Sequence, residues 1–177
     1  MPVRSGAVNT RSAATGAALD AMRMERAGPC ATRPAIGDAG GVRDIAYIAL
    51  GSNVGDRQAH LANARAALAA LPESRLLAQS SVDETEPLGP VSQPPFLNQM
   101  VALETALAPR RLLAALHAIE RAEGRVRRVR WGPRELDLDI VCFERQMVSE
   151  PDLVVPHPEL PNRSFWQREL LELRGAR

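Results

Sequence analysis

The sequence predicts an α+β fold, a ferredoxin-like β-α-β-β-α-β arrangement in which an antiparallel sheet carries packed helices. Two observations predict it. Apolar runs with β-branched or aromatic members recur at residues 45–50, 76–84, 96–105 and 136–143. Two stretches of helical periodicity separate them, at 57–71 and from Pro109 to Gly124. With 177 residues, 45% hydrophobic and 24% charged, the chain suits one globular domain of ordinary size.

Taken in order, residues 1–44 hold ten alanines and six glycines with scattered arginines and no sustained period. They are expected to be a disordered extension, and residues 45–177 the domain. Residues 1–19 contain arginines and no acid, which leaves a transit peptide open, with Met22 and Met24 as alternative starts. The run 45–50 ends at Gly51-Ser52-Asn53 and reads as a buried strand. Asp56 is placed to cap a helix over 57–71, with Leu61, Ala64, Leu68 and Leu71 on one face and Pro72 as its stop. After the strand at 76–84, residues 85–95 carry four prolines and a glycine, a long loop of the kind that carries function. Pro109 opens the second helix at its first position, Leu112, Leu113, Leu116 and Ile119 form its stripe, and Gly124 ends it. Beyond the strand at 136–143, a small strand is expected at 146–149, extended chain at 154–158 and a last helix at 164–173. The helices are expected on one face of the sheet.

Totals exclude several functions. The formal charge is +1, so any positive field is local and the molecule as a whole is not a nucleic-acid binder. No apolar run approaches the roughly 18–20 residues of a membrane span. Cys30 and Cys142 make neither a disulfide framework nor a zinc pattern, and Cys142 reads as a buried free thiol, which fits a reducing cytoplasm. All 22 Lys+Arg residues are arginine. That excludes a P-loop lysine, a kinase strand lysine and Schiff-base chemistry.

The chemistry concentrates in Arg130-Trp131-Gly132-Pro133-Arg134-Glu135-Leu136-Asp137-Leu138-Asp139-Ile140-Val141. Residues 121–134 hold six arginines, Arg121, Arg125, Arg127, Arg128, Arg130 and Arg134, against Glu123. Charge alone leaves a solvated basic loop, an RNA contact and a phosphate clamp open. Asp137 and Asp139 are two apart on a strand, so they share one face while Leu136, Leu138 and Ile140 enter the core. Mg²⁺ favours one or two carboxylates plus substrate phosphates, and arginines offset charge on phosphate oxygens. Together the two halves suit an ATP-using transferase; an RNA-binding module and a metal-dependent phosphohydrolase are the alternatives.

This stretch resembles the signature of the 6-hydroxymethyl-7,8-dihydropterin pyrophosphokinase family. The resemblance extends in order through Tyr47-Ile48-Ala49-Leu50-Gly51-Ser52-Asn53-Val54-Gly55-Asp56, Glu84-Thr85-Glu86-Pro87-Leu88-Gly89-Pro90 and Phe96-Leu97-Asn98. It continues through Ile119-Glu120, Gly124-Arg125, Val155-Pro156-His157-Pro158 and Asn162-Arg163-Ser164-Phe165. It implies transfer of the pyrophosphoryl group of ATP, as co-substrate, to the pterin hydroxymethyl oxygen, with release of AMP. By position, it makes Asp137 and Asp139 ligands of two Mg²⁺ ions. It assigns ATP to His117, Arg127, Arg130, Arg134, His157 and Arg163, with Arg127 and Arg130 in a mobile catalytic loop. The pterin falls to Thr85, Pro87, Leu88, Asn98, the rings Phe96 and Phe165, and Trp131 as a closing residue. A cytoplasmic monomer with no nucleic-acid or membrane partner is expected. Asp83 departs from the aromatic residue usual before the Glu-Thr-x-Pro loop, which predicts a looser loop or an exposed strand.

Overall fold

The computed structural model describes residues 42–87, 91–125 and 132–176. Its elements run β1 (Asp44–Ser52), α1 (Arg57–Ala69), β2 (Ser74–Gln79), β3 (Asp83–Thr85), β4 (Phe96–Thr105), α2 (Pro109–Ala122), β5 (Asp137–Phe143), β6 (Val148–Glu150), β7 (Leu153–Val155) and α3 (Ser164–Gly175). The main sheet has the order β2-β4-β1-β5, with β3 also on β4, and its pairings are antiparallel. This is the predicted ferredoxin-like core.

Two details differ from expectation. The strand expected over 76–84 is broken, because Ser80 and Ser81 take their hydrogen bonds elsewhere. Ser80 Oγ accepts from Met100 N at 2.9 Å and donates to Ser81 O at 2.8 Å. Glu172 accepts from Ser81 N at 2.8 Å. Such short polar side chains compete with the ladder. The second difference concerns the faces. α1 and α2 bury Leu61, Leu68, Leu112 and Leu116 against Ile48 and Leu50. α3 covers the opposite face, packing Trp166, Leu170 and Leu173 on Tyr47, Met100 and Val141. The cause is legible in β1, whose two faces are both apolar and so both need a cover.

Local signals were otherwise followed. Asp56 accepts from Ala59 N at 3.0 Å and caps α1, which ends at Ala69 rather than 71. Pro109 opens α2, and Gly124 beyond its end has φ +87°, a conformation that only glycine adopts without strain. The small strand falls at 148–150 and pairs with β7. Cys142 is buried, whereas residues 1–41 lie outside the described ones. Among the described residues no helix is long and apolar enough to cross a membrane.

Candidate active site

Three adjacent strands build the floor of the site. Register places Asn98 of β4, Gly51 of β1 and Asp137 of β5 on one rung, and Met100, Ala49 and Asp139 on the next. Residues opposite one another across antiparallel strands share a face. Both aspartates therefore project to the α3 side. The central strand contributes only Gly51 and Ala49 there, which keeps the floor low: a Cβ on Gly51 would stand 3.4 Å from Asn98 Oδ1 and 3.7 Å from the Phe96 ring. An open cavity of about 620 Å³ lies over these rungs.

On the β4 side, Asn98 Nδ2 donates to Thr85 Oγ1 at 2.8 Å, and both residues line the cavity with Phe96 and, from α3, Phe165. Glu86 and Gln93 also line it. Pro87 lies next to Glu86 but is not part of the lining, and Leu88 is outside the described residues.

On the β5 side, Asp137 pairs with Arg134 and, at 2.7 Å, with Arg125. Arg125 in turn pairs with Glu120 of α2, a residue only 3% exposed whose Oε1 also accepts from Leu138 N at 2.8 Å. Burial pushes the Glu120 carboxyl up, while the Leu138 amide and Arg125 pull it down. Glu120 thus holds Arg125 against Asp137 and fixes the start of β5. Asp139 has weaker compensation, with Arg163 at 3.9 Å. Burial, then the Asp137 charge, push its carboxyl from an ordinary 3.8 to about 7.

Arg163 lies 4.1 Å over the Trp166 ring, and its buried Nε has no partner. His157 meets the same ring edge-on at 5.1 Å, one ring behind the lining. Its Nδ1 accepts from Glu159 N at 3.1 Å, which leaves the proton of the neutral imidazole on Nε2. Burial and then Arg163 lower its pKa, so the neutral form dominates at pH 7. His117, half-buried on α2 one turn before Glu120, does not line the cavity. Arg127, Arg130 and Trp131 fall outside the described residues.

The donor set fits Mg²⁺ with phosphate rather than a closed metal cage. Among the described residues no three His, Cys, Asp or Glu side chains gather as a metal site. What exists is a pair of same-face carboxylates, one of them held partly protonated by the other's charge and its own burial. A divalent cation bound there with substrate phosphates would relieve that repulsion.

Several lining or supporting residues carry no sequence-stated role. Glu120 and Arg125 lie in matched stretches, and Glu120 falls on the buried stripe of α2 four residues after Leu116, a position where a carboxylate signals a partner. Gln93 and Trp166 carried no pattern that set them apart.

Comparison with known proteins gives named relatives over most of the chain. The model of the 7,8-dihydro-6-hydroxymethylpterin-pyrophosphokinase family matches residues 47–175. A Pseudomonas aeruginosa protein named 2-amino-4-hydroxy-6-hydroxymethyldihydropteridine pyrophosphokinase is 48% identical over 127 residues, covering 72% of this chain and 78% of its own. Proteins of the same name from Bacillus subtilis and Methylorubrum extorquens are 44% and 45% identical, over 75% and 72% of this chain and 79% and 81% of theirs.

Proposed function

The chain belongs to the 7,8-dihydro-6-hydroxymethylpterin-pyrophosphokinase family, and from that premise we propose how its cavity works. The reaction is transfer of the pyrophosphoryl group of ATP to the hydroxymethyl oxygen of 6-hydroxymethyl-7,8-dihydropterin in folate biosynthesis, releasing AMP. The observation that carries the site assignment is the shared rung of Asn98, Gly51 and Asp137, which puts a pterin-type and a phosphate-type side chain on one floor.

The β4 half takes the pterin. Thr85 and Asn98 offer hydrogen bonds, Phe96 and Phe165 offer aromatic faces, and Pro87 with Leu88 borders the ring. The β5 half takes the triphosphate. Asp137 and Asp139 would hold two Mg²⁺ ions, which would supply charge stabilisation to the entering and leaving oxygens. Arg134 and Arg163 face the same space and offset charge on non-bridging oxygens. His157, neutral with its proton on Nε2, is a donor suited to a phosphate oxygen. Arg127 and Arg130 supply further guanidinium groups, Trp131 closes the site, and His117 approaches from the α2 side. We assign no general base, because positioning and charge stabilisation dominate such transfers to an alcohol. The enzyme is read as a cytoplasmic monomer.

The test is an assay with MgATP and 6-hydroxymethyl-7,8-dihydropterin, following the nucleotide products. AMP is expected only when the pterin is present. ADP, or turnover independent of pterin, refutes the reading, and chelation of Mg²⁺ that leaves the rate unchanged refutes the metal assignment.

A further inference from the structure

Arg57 is the first residue of α1, a helix packed on the side of the sheet away from the cavity. Its Nη1 donates to Glu84 Oε1 at 2.7 Å and to Pro95 O at 2.8 Å. Glu84 is the middle residue of β3, and Pro95 directly precedes β4. The register explains the reach. β3 pairs with β4 as Asp83↔Asn98, Glu84↔Leu97 and Thr85↔Phe96. Alternation along a strand sends Glu84 to the face opposite Thr85. Thr85 lines the cavity, so Glu84 points back toward α1. β3 has only three residues, at the lower limit of strand length. Pro94 and Pro95 have no N–H with which to extend its ladder. The junction is held instead by a donor brought from behind the sheet.

The ion pair alone explains little, because the Arg57 and Glu84 side chains are 30% and 55% exposed. The same nitrogen also meets the part-buried carbonyl of Pro95, a charge-assisted hydrogen bond of greater worth. One atom bound to both acceptors fixes the distance between them.

We propose that Arg57 is a positioning residue for the pterin half: it pins Glu84 to Pro95 and so holds the next residues along, Thr85 and Phe96, in the cavity wall. This deepens the functional reading above and rests on it. Arg57 does not itself line the cavity.

The test is steady-state kinetics of AMP formation by the full chain. The KM for 6-hydroxymethyl-7,8-dihydropterin is measured at saturating MgATP, and the KM for ATP at saturating pterin. Arg57→Gln is shorter and uncharged. It is expected to raise the KM for pterin about tenfold, as the loss of a charged hydrogen bond does, and to leave the KM for ATP within about twofold. Arg57→Lys keeps a charged donor and is expected to recover part of the loss, with a rise of about threefold. Glu84→Gln, on an exposed side chain, perturbs the same junction without touching α1 and decides the matter if Arg57→Gln does not fold. Its KM for pterin is expected to rise about twofold to threefold, with no further rise when it is added to Arg57→Gln. A purely structural defect lowers the amount of active enzyme, and so the apparent kcat, but moves neither KM. A KM for pterin unchanged in either variant, equal rises in both KM values, or effects of the two substitutions that multiply overturn the proposal. Absence of pterin-dependent AMP formation by the natural protein overturns the functional reading instead.

Discussion

Glu169 offers the sharpest test of the energetics. It lies on α3 among Trp166, Leu170 and Leu173, is 1% exposed, and neither carboxylate oxygen has a hydrogen-bond partner. Burial pushes its pKa from an ordinary 4.5 to about 8; the charges of Asp83 and Glu172 add to the shift, and Arg168 opposes it. Those neighbours are themselves engaged, Asp83 with Arg168 at 2.7 Å and Glu172 with Ser81. The folded protein holds this proton more tightly than the unfolded chain. Stability is therefore full below about pH 4.5 and is lost as pH rises toward 8. At about 1.4 kcal/mol per tenfold change in proton affinity, the ceiling is on the order of 5 kcal/mol, a large part of a small domain's stability. Glu169→Gln keeps the shape and cannot ionise. Urea unfolding of ligand-free protein with chelator, at pH 5 and pH 8.5, measures the effect. The amide's own unpaired groups cost the same at both values, so the informative number is the difference between the two pH values. We expect the variant to lose about 2–4 kcal/mol less than the natural protein across that interval. Asp139 shifts the same way in both proteins and cancels. Equal losses refute the assignment of a buried, unpartnered carboxyl.

Three further outcomes follow from the site. Asp139, raised to about 7, must be ionised to hold a cation, so affinity for Mg²⁺ with α,β-methylene-ATP should fall by up to about tenfold per pH unit below that value and level off above it; a profile flat from pH 5.5 to 8 contradicts this. Glu120→Gln weakens the buried pairing with Arg125 and should cost about 2–4 kcal/mol in urea unfolding, with a lower kcat for AMP formation because Arg125 no longer fixes Asp137. Unchanged stability would make the pair dispensable. Thr85→Val removes the acceptor for Asn98 Nδ2 and should raise the KM for pterin about tenfold while leaving the KM for ATP within about twofold. A rise in both would place Thr85 outside the pterin half.

What the sequence disclosed divides along physical lines. Periodicity located each main strand and helix, because an apolar face must be buried at the spacing of its element. Same-face placement of Asp137 and Asp139 followed from the pleat alone. The break at Ser80–Ser81 was hidden, since the competing bonds come from Met100 and Glu172, 20 and 91 residues away from their serine partners. The side taken by α3 was visible in principle in the two-sided apolar β1, yet the two earlier helices suggested a single covered face. Glu169 and Asn53 were unreadable, and Glu120 disclosed only its place on the buried stripe of α2. Each is a polar residue whose role depends on burial and distant partners, which composition and spacing do not record. Asp83 shows the same limit from the other side. It stays in β3, paired in register with Asn98 and answered by Arg168, while Val82 beside it is exposed. The departure is compensated locally, and its charge is instead felt at Glu169.

The floor of the cavity explains why the two halves can share one small domain. A pleated strand offers side chains on alternate residues, and any large group at residues 49 or 51 would fill the space between β4 and β5. Ala49 and Gly51 leave that space open, so residues on the two flanking strands, Asn98 and Asp137, face a common volume across a strand that contributes almost nothing but backbone. Strands lie about 5 Å apart, so the two residues are roughly 10 Å from one another, a span comparable to that of a bicyclic ring with a phosphate beside it. The separation of these two residues is thereby set by the sheet. Asn53, at the end of the strand between them, hydrogen-bonds to both segments that enter β4 and β5.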